Sequence, residues 1–89
     1  MKIKEVINKI LWTVKEREEL EKYRLIIIDR VDSTGFREIP FTHIVRVNNN
    51  YIYVINIKKE VVAIPLHRVV RIVKGYETIY KRKSNSSNI

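Results

Sequence analysis

A phrase that this chain says twice limits the folds open to it. Ile39-Pro40-Phe41-Thr42-His43-Ile44-Val45-Arg46-Val47 returns 25 positions later as Ile64-Pro65-Leu66-His67-Arg68-Val69-Val70-Arg71-Ile72, and at the same offset Tyr51 falls on Tyr76. Repetition of this kind means one backbone unit used twice. Each copy carries a proline after an isoleucine. Proline has no N–H to give to a β-ladder, so it ends a strand and releases the chain into a turn. The copies differ just after the proline: Thr42-His43 in the first becomes His67-Arg68 in the second. This contrast suggests one structural copy and one working copy.

The remaining pattern fills in an α+β domain. Ile3, Val6, Ile7, Ile10 and Leu11 recur at the spacing of an amphipathic helix, which Trp12 closes. A second, polar helix is expected from Thr13 as N-cap, with Glu16 completing a capping box and Glu18 and Lys22 as an i,i+4 pair. Beyond Tyr23 the period falls to two. Strands are expected over Arg24–Val31, Phe36–Ile39, Ile44–Val47, Tyr51–Ile57, Val61–Ile64, Val69–Val73 and Tyr76–Tyr80, with turns at Asp32-Ser33-Thr34-Gly35, Asn48-Asn49-Asn50, Lys58-Lys59-Glu60 and Lys74-Gly75. A strand-turn-strand-Ile-Pro unit used twice gives about six short antiparallel strands. With the helix against one face, the expected architecture is a small antiparallel sheet or open barrel. Residues 1–80 form the expected domain. The basic, then Ser/Asn-rich tail over 81–89 is expected to be disordered.

Composition narrows the function. The 89 residues carry a formal net charge of +8, which suits a polyanionic partner, nucleic acid before an anionic membrane surface. Cysteine is absent, and the two histidines have no metal-ligand spacing, so neither a metal nor another cofactor is expected. No signal peptide is legible, and the apolar run Leu25–Ile28 is far too short to span a bilayer. The expected location is cytoplasmic, without membrane attachment. Abundant Lys, Arg, Glu and Ile, with no Gln, also fits a thermophile.

Several residues compete for a binding role. His67 and Arg68 sit in a short turn held by Pro65. Arg presents a planar donor fork matched to phosphate oxygens, and His donates to phosphate or exchanges a proton near neutral pH. The bland alternative is a satisfied histidine beside an arginine paired to a carboxylate. Asp29-Arg30 follows four apolar residues, as at a sheet rim, where Asp29 could orient Arg30, Arg68 or His67; otherwise it is a surface ion pair of about 0–1 kcal/mol. Arg46, Arg71 and Lys74 could form a stripe along a nucleic-acid backbone. Tyr51, Tyr53, Tyr76 and Tyr80 could stack on bases, although tyrosines at this period more often pack within a sheet. Walker, paired-carboxylate and Ser-His-Asp constellations are missing.

Taken together, the opening Met1–Trp12, the strand-end Asp29-Arg30, Ile39-Pro40 and above all Ile64-Pro65-Leu66-His67-Arg68-Val69 resemble a family of small, mostly archaeal proteins. The family's domain is proposed to recognise RNA ends bearing a cyclic phosphate. Similar domains occur in larger eukaryotic proteins, some beside a two-histidine phosphoesterase domain. The resemblance covers about residues 1–80. It departs after Trp12, where relatives often have an Asp-Pro loop and this chain has the charged stretch Thr13–Lys22. It implies an RNA-binding module in which Arg68 and Arg30 hold phosphate oxygens of a single-stranded end. His67 then donates to the phosphate or to a ribose hydroxyl, and Asp29 orients the cations. Arg46, Arg71 and Lys74 add salt-dependent contacts. Two rivals stand beside it: an RNA-end-processing enzyme using His67, which for a two-His relay would need His43 close by, and a generic basic nucleic-acid-binding or protein-interaction module.

Overall fold

The computed structural model describes residues 2–29 and 35–82. Arg30, the end of the expected first strand, most of the Asp32–Gly35 turn and the tail from 83 on lie outside the described residues.

Helix α1 spans Ile3–Thr13 and buries Ile3, Ile7 and Ile10. It starts with the Lys2 backbone N–H donating to Glu5 Oε1 at 2.9 Å, so Glu5 satisfies a donor that the helix leaves unpaired. Thr13 does not cap a second helix. It is the last residue of α1, and its hydroxyl donates back to the Lys9 carbonyl at 2.7 Å. A threonine this close to the preceding turn finds that acceptor first. Helix α2 is the single turn Arg17–Leu20, entered from Glu16. Nor is Trp12 buried at the end of its helix, being 73% exposed.

Among the described residues, seven strands form two antiparallel sheets that do not close into a barrel. They are β1 (Tyr23–Ile28), β2 (Phe36–Pro40), β3 (Ile44–Val47), β4 (Tyr51–Ile55), β5 (Val61–Pro65), β6 (Val69–Lys74) and β7 (Glu77–Lys81). One sheet has the order β2-β1-β6-β7 and the other β3-β4-β5. The expected α+β class holds, and each of the seven expected strand segments has its counterpart, but they form two sheets rather than the single small sheet or open barrel expected from the repeat.

The repeat explains the topology. Each Ile-Pro ends a strand, and the next three residues, Phe41–His43 or Leu66–Arg68, form a 3-10 turn. At both turns the chain changes sheets: β2 and β3 belong to different sheets, as do β5 and β6. The halves therefore exchange strands. In the hairpins, Leu25 faces Ile39 and Ile52 faces Ile64. In the exchanged pairs, Leu25 faces Ile72 and Ile27 faces Val69, while Ile52 faces Val47 and Val54 faces Ile44. Even the register shift is repeated, one residue of β3 (Val45) and one of β6 (Val70) being passed over. The unit β2-β1-β6 is thus a counterpart of β5-β4-β3, and β7 is an added edge. The sequence repeat ends near Val47 and Ile72: Tyr51 opens β4, whereas Tyr76 lies in the β6–β7 turn.

The core lies between the sheets and under α1. Leu25, Ile27, Ile39, Phe41, Ile52, Val54, Ile64, Leu66, Val69 and Ile72 are buried together with the helix isoleucines. Phe41 and Leu66 are equivalent, each first in its 3-10 turn and pointing inward. Burial of such a side chain contributes about 1.5–3 kcal/mol, which anchors the turn and fixes where its next two residues project.

Candidate nucleic-acid interface

A 3-10 helix has three residues per turn, so consecutive side chains leave it about 120° apart. In the second turn Leu66 points into the core. His67 and Arg68 are both exposed and face different depressions. The adjacent pair expected to act as a unit is therefore divided by the turn that presents it.

His67 lines a depression of about 490 Å³ formed with Lys2, Ile3, Lys4, Asn49, Asn50, Leu66, Tyr80 and Arg82. Three separate parts of the chain meet there: the start of α1, the Asn turn between β3 and β4, and the end of β7. They are tied together by polar contacts. Lys4 Nζ donates to Asn49 Oδ1 at 2.8 Å, and the Leu66 N–H donates to the Asn50 carbonyl at 2.9 Å. Arg82 donates from one guanidinium nitrogen to the His67 carbonyl at 2.9 Å and from the other to the Leu66 carbonyl at 3.2 Å. The Asn turn is itself held by Asn48 Oδ1, which accepts from the N–H groups of Asn50 and Tyr51 at 2.9 and 2.7 Å.

The electrostatics of this wall are one-sided. Lys2, Lys4 and Arg82 supply positive charge, His67 is a further donor, and no Asp or Glu is among the lining residues. Arg82 is fixed by neutral carbonyls, which leave its charge available. The Asn amides and the Tyr80 hydroxyl add neutral hydrogen-bonding groups suited to oxygen atoms.

Arg68 lies on the other side, in a depression shared with Ile27, Ile28, Asp29, Arg37, Val62, Ala63 and Ile64. Asp29 is thus brought near Arg68 but not to His67. It also pairs with Arg37 at 3.8 Å, and its N–H donates to the Gly35 carbonyl at 2.9 Å. Arg30 lies outside the described residues. The three auxiliary cations are divided between the two sheets. Arg46 is on β3, while Arg71 and Lys74 are on β6 in the other sheet. Arg46 stands 4.9 Å from the Tyr53 ring centre and Lys74 5.5 Å from that of Tyr23, so both rings already carry a cation. Of the tyrosines considered for stacking, Tyr80 lines the His67 depression. His43, on the first 3-10 turn, is not among the residues lining either depression.

Lys2, Lys4, Asn49, Asn50 and Arg82 are not legible as site residues. Each is ordinary by itself, and only the exchanged strands bring them together. Arg82 falls in the stretch expected to be tail, yet β7 runs through Lys81 and Arg82 reaches back to the turn. The basic run Lys81-Arg82-Lys83 was the one available signal. Among the described residues no cluster of His, Cys, Asp or Glu could hold a metal ion, and no helix is long and apolar enough to cross a membrane.

Fold and surface together define a small basic α+β domain with a depression beside a proline-led turn. Residues 1–82 match the family described as the MJ1316 RNA cyclic group end recognition domain, and the chain belongs to that family. A UPF0248 protein of Saccharolobus solfataricus is 47% identical over 72 residues, covering 81% of this chain and 83% of that one. A UPF0248 protein of Saccharolobus islandicus is 44% identical over 89 residues, covering 100% of this chain and 96% of its own. One from Metallosphaera sedula is 42% identical over 85 residues, covering 96% and 97%. No solved structure matches.

Proposed function

We propose that this domain binds the end of a single-stranded RNA carrying a terminal or 2′,3′-cyclic phosphate, and that it does so without altering the RNA. The family description names RNA cyclic group end recognition. The observation that carries the reading is the basic depression at His67, with Lys2, Lys4 and Arg82 in its wall and no carboxylate residue among its lining. A phosphate there meets several cations and a histidine donor, and charge-assisted hydrogen bonds are about twice as strong as neutral ones. The Asn amides and Tyr80 suit ribose hydroxyls, which also distinguish RNA from DNA. Arg68, beside Asp29 across the turn, engages a different part of the strand from His67. Binding rather than catalysis is favoured by the single histidine of the depression, since a two-histidine relay requires both rings at hydrogen-bond reach of one phosphate.

The test is binding to one short RNA prepared with a 3′-hydroxyl, a 3′-phosphate or a 2′,3′-cyclic phosphate, at two salt concentrations, with the RNA recovered afterwards. The phosphorylated ends should bind more tightly, and the RNA should be recovered unchanged. His67→Ala should remove much of the preference, about ten- to a hundredfold for a charge-assisted bond of about 1.5–3 kcal/mol. An unchanged preference in His67→Ala refutes the reading. Equal, steeply salt-dependent binding to all three ends would leave a basic module without end recognition.

A further inference from the structure

Trp12 is the only tryptophan in the chain. It sits on a helix whose other large apolar residues are buried or partly buried, yet it is itself 73% exposed. Its one described ring contact is a cation, Lys15 Nζ at 5.6 Å from the ring centre. An indole left in water under a lysine contributes little to this fold. The same pairing of aromatic face and cation is how unpaired nucleic-acid bases are held.

Its position links it to the depression. Residues four apart are neighbours on a helix surface, so Lys4, Asn8 and Trp12 form one ridge along the flank of α1. Lys4 lines the His67 depression and Trp12 stands about 12 Å farther along the axis, at 1.5 Å per residue over the intervening two turns. Asn8 between them is partly buried and polar. Past Trp12 the charge is mixed: Lys15, Glu16 and Glu19 line the next shallow depression. Lys4 and Lys15 therefore stand at the two ends of this ridge, with the neutral amide of Asn8 between them.

From the exposed ring, the lysine over it and its place on the ridge that starts at the depression, we infer that Trp12 is a stacking platform for an unpaired base a few nucleotides from the RNA end, with Lys4 and Lys15 flanking the connecting backbone. This inference rests on the proposed RNA-end reading and adds the path that the strand takes. Stacking on an aromatic face tolerates any base, so the site gives affinity without sequence preference.

Because no other tryptophan is present, fluorescence excited at the red edge of tryptophan absorption reports this site alone. The probes are a short single-stranded RNA ending in a 2′,3′-cyclic phosphate, a set of the same RNAs with one abasic residue at successive positions, and a single nucleoside 2′,3′-cyclic phosphate. The expected result is quenching by the full RNA that one particular abasic position abolishes. Trp12→Ala should weaken the RNA about tenfold, within the range of one stacked base, and leave the mononucleotide unaffected. Trp12→Phe should restore part of the loss. The indole is exposed, so both variants should keep the helix, which circular dichroism checks. Unchanged RNA affinity in Trp12→Ala, or RNA binding without any change in fluorescence, overturns the inference, including when Trp12 instead meets a protein. End preference with no Trp12 effect sinks this inference alone. Trp12 quenching that is the same for all three end chemistries sinks the end reading alone.

Discussion

Arg82 offers the sharpest test of how the depression is built. Its guanidinium bonds two successive carbonyls, of Leu66 and His67, and so ties the last described residue to the turn carrying the candidate ligand-binding histidine. Arg82→Ala removes both bonds but keeps the backbone bond from Arg82 N–H to the Val70 carbonyl at 2.9 Å. A hydrogen bond from a charged donor contributes about 1.5–3 kcal/mol, less where water can replace it. Here the Leu66 bond is partly buried and the His67 bond exposed, so the pair is worth about 2 kcal/mol. For a domain of this size, each kcal/mol shifts Tm by about 4–8 °C, which sets the expected fall at about 8–16 °C. Arg82→Lys should recover part of it, because an ammonium lacks the planar fork that reaches both carbonyls. Thermal unfolding followed by circular dichroism gives the stability, and the three-end RNA assay gives the function. A chain shortened to end at Lys81 should lose more than Arg82→Ala, because it also gives up the backbone bond to Val70. A Tm for Arg82→Ala unchanged within error would refute the view that Arg82 clamps the turn.

Three further outcomes follow from the fold. Phe41→Ala and Leu66→Ala empty equivalent buried positions and should cost about 3–5 and 2–5 kcal/mol in urea unfolding; only Leu66→Ala should also weaken RNA-end binding at temperatures where both variants remain folded. Gly75 has φ +60 with open space where a Cβ would stand, so Gly75→Ala should cost about 1 kcal/mol through the backbone alone, whereas Lys59, a lysine at φ 65, should gain up to about 1 kcal/mol as Lys59→Gly, both read by thermal unfolding. Glu19 accepts a hydrogen bond from Lys22, which with the attraction of that charge holds its carboxyl below the ordinary value of 4.5. Its contribution is fully present above the unfolded pKa and is lost as pH falls through the folded one; an NMR titration should show the Glu19 midpoint rising toward the ordinary value in Lys22→Ala.

What the sequence disclosed and what it withheld have different physical origins. Alternation over Tyr51–Ile57 puts Ile52 and Val54 on one face, and the structure buries both. The prolines marked both strand ends because the missing N–H acts locally. Partner choice is not local. Nothing in the pattern of β1 says that it pairs with β6 across the chain, and so the exchange of strands between the halves, and with it the meeting of Lys2, Asn49 and Arg82, could not be read off. His67 and Arg68 were legible as a pair but not as a divided pair, since neighbours that face away in a strand diverge differently in a 3-10 turn. Thr13 reads as a cap because its hydroxyl oxygen can accept from N–H groups at a helix start, but at the end of α1 the same hydroxyl donates to the Lys9 carbonyl.

The exchanged strands also set an order of assembly. The hairpins β1–β2, β3–β4, β4–β5 and β6–β7 close short loops, while pairing β6 with β1 joins distant parts of the chain and bears the larger closure entropy. That late step delivers Leu66 and His67, together with the local β6–β7 hairpin and Arg82, to their final surroundings. A nascent chain with only its early hairpins formed is therefore expected to be blind to RNA ends. Pulse-labelled hydrogen exchange, protecting β4 amides before those that pair β6 with β1, would show recognition arising only with the completed molecule.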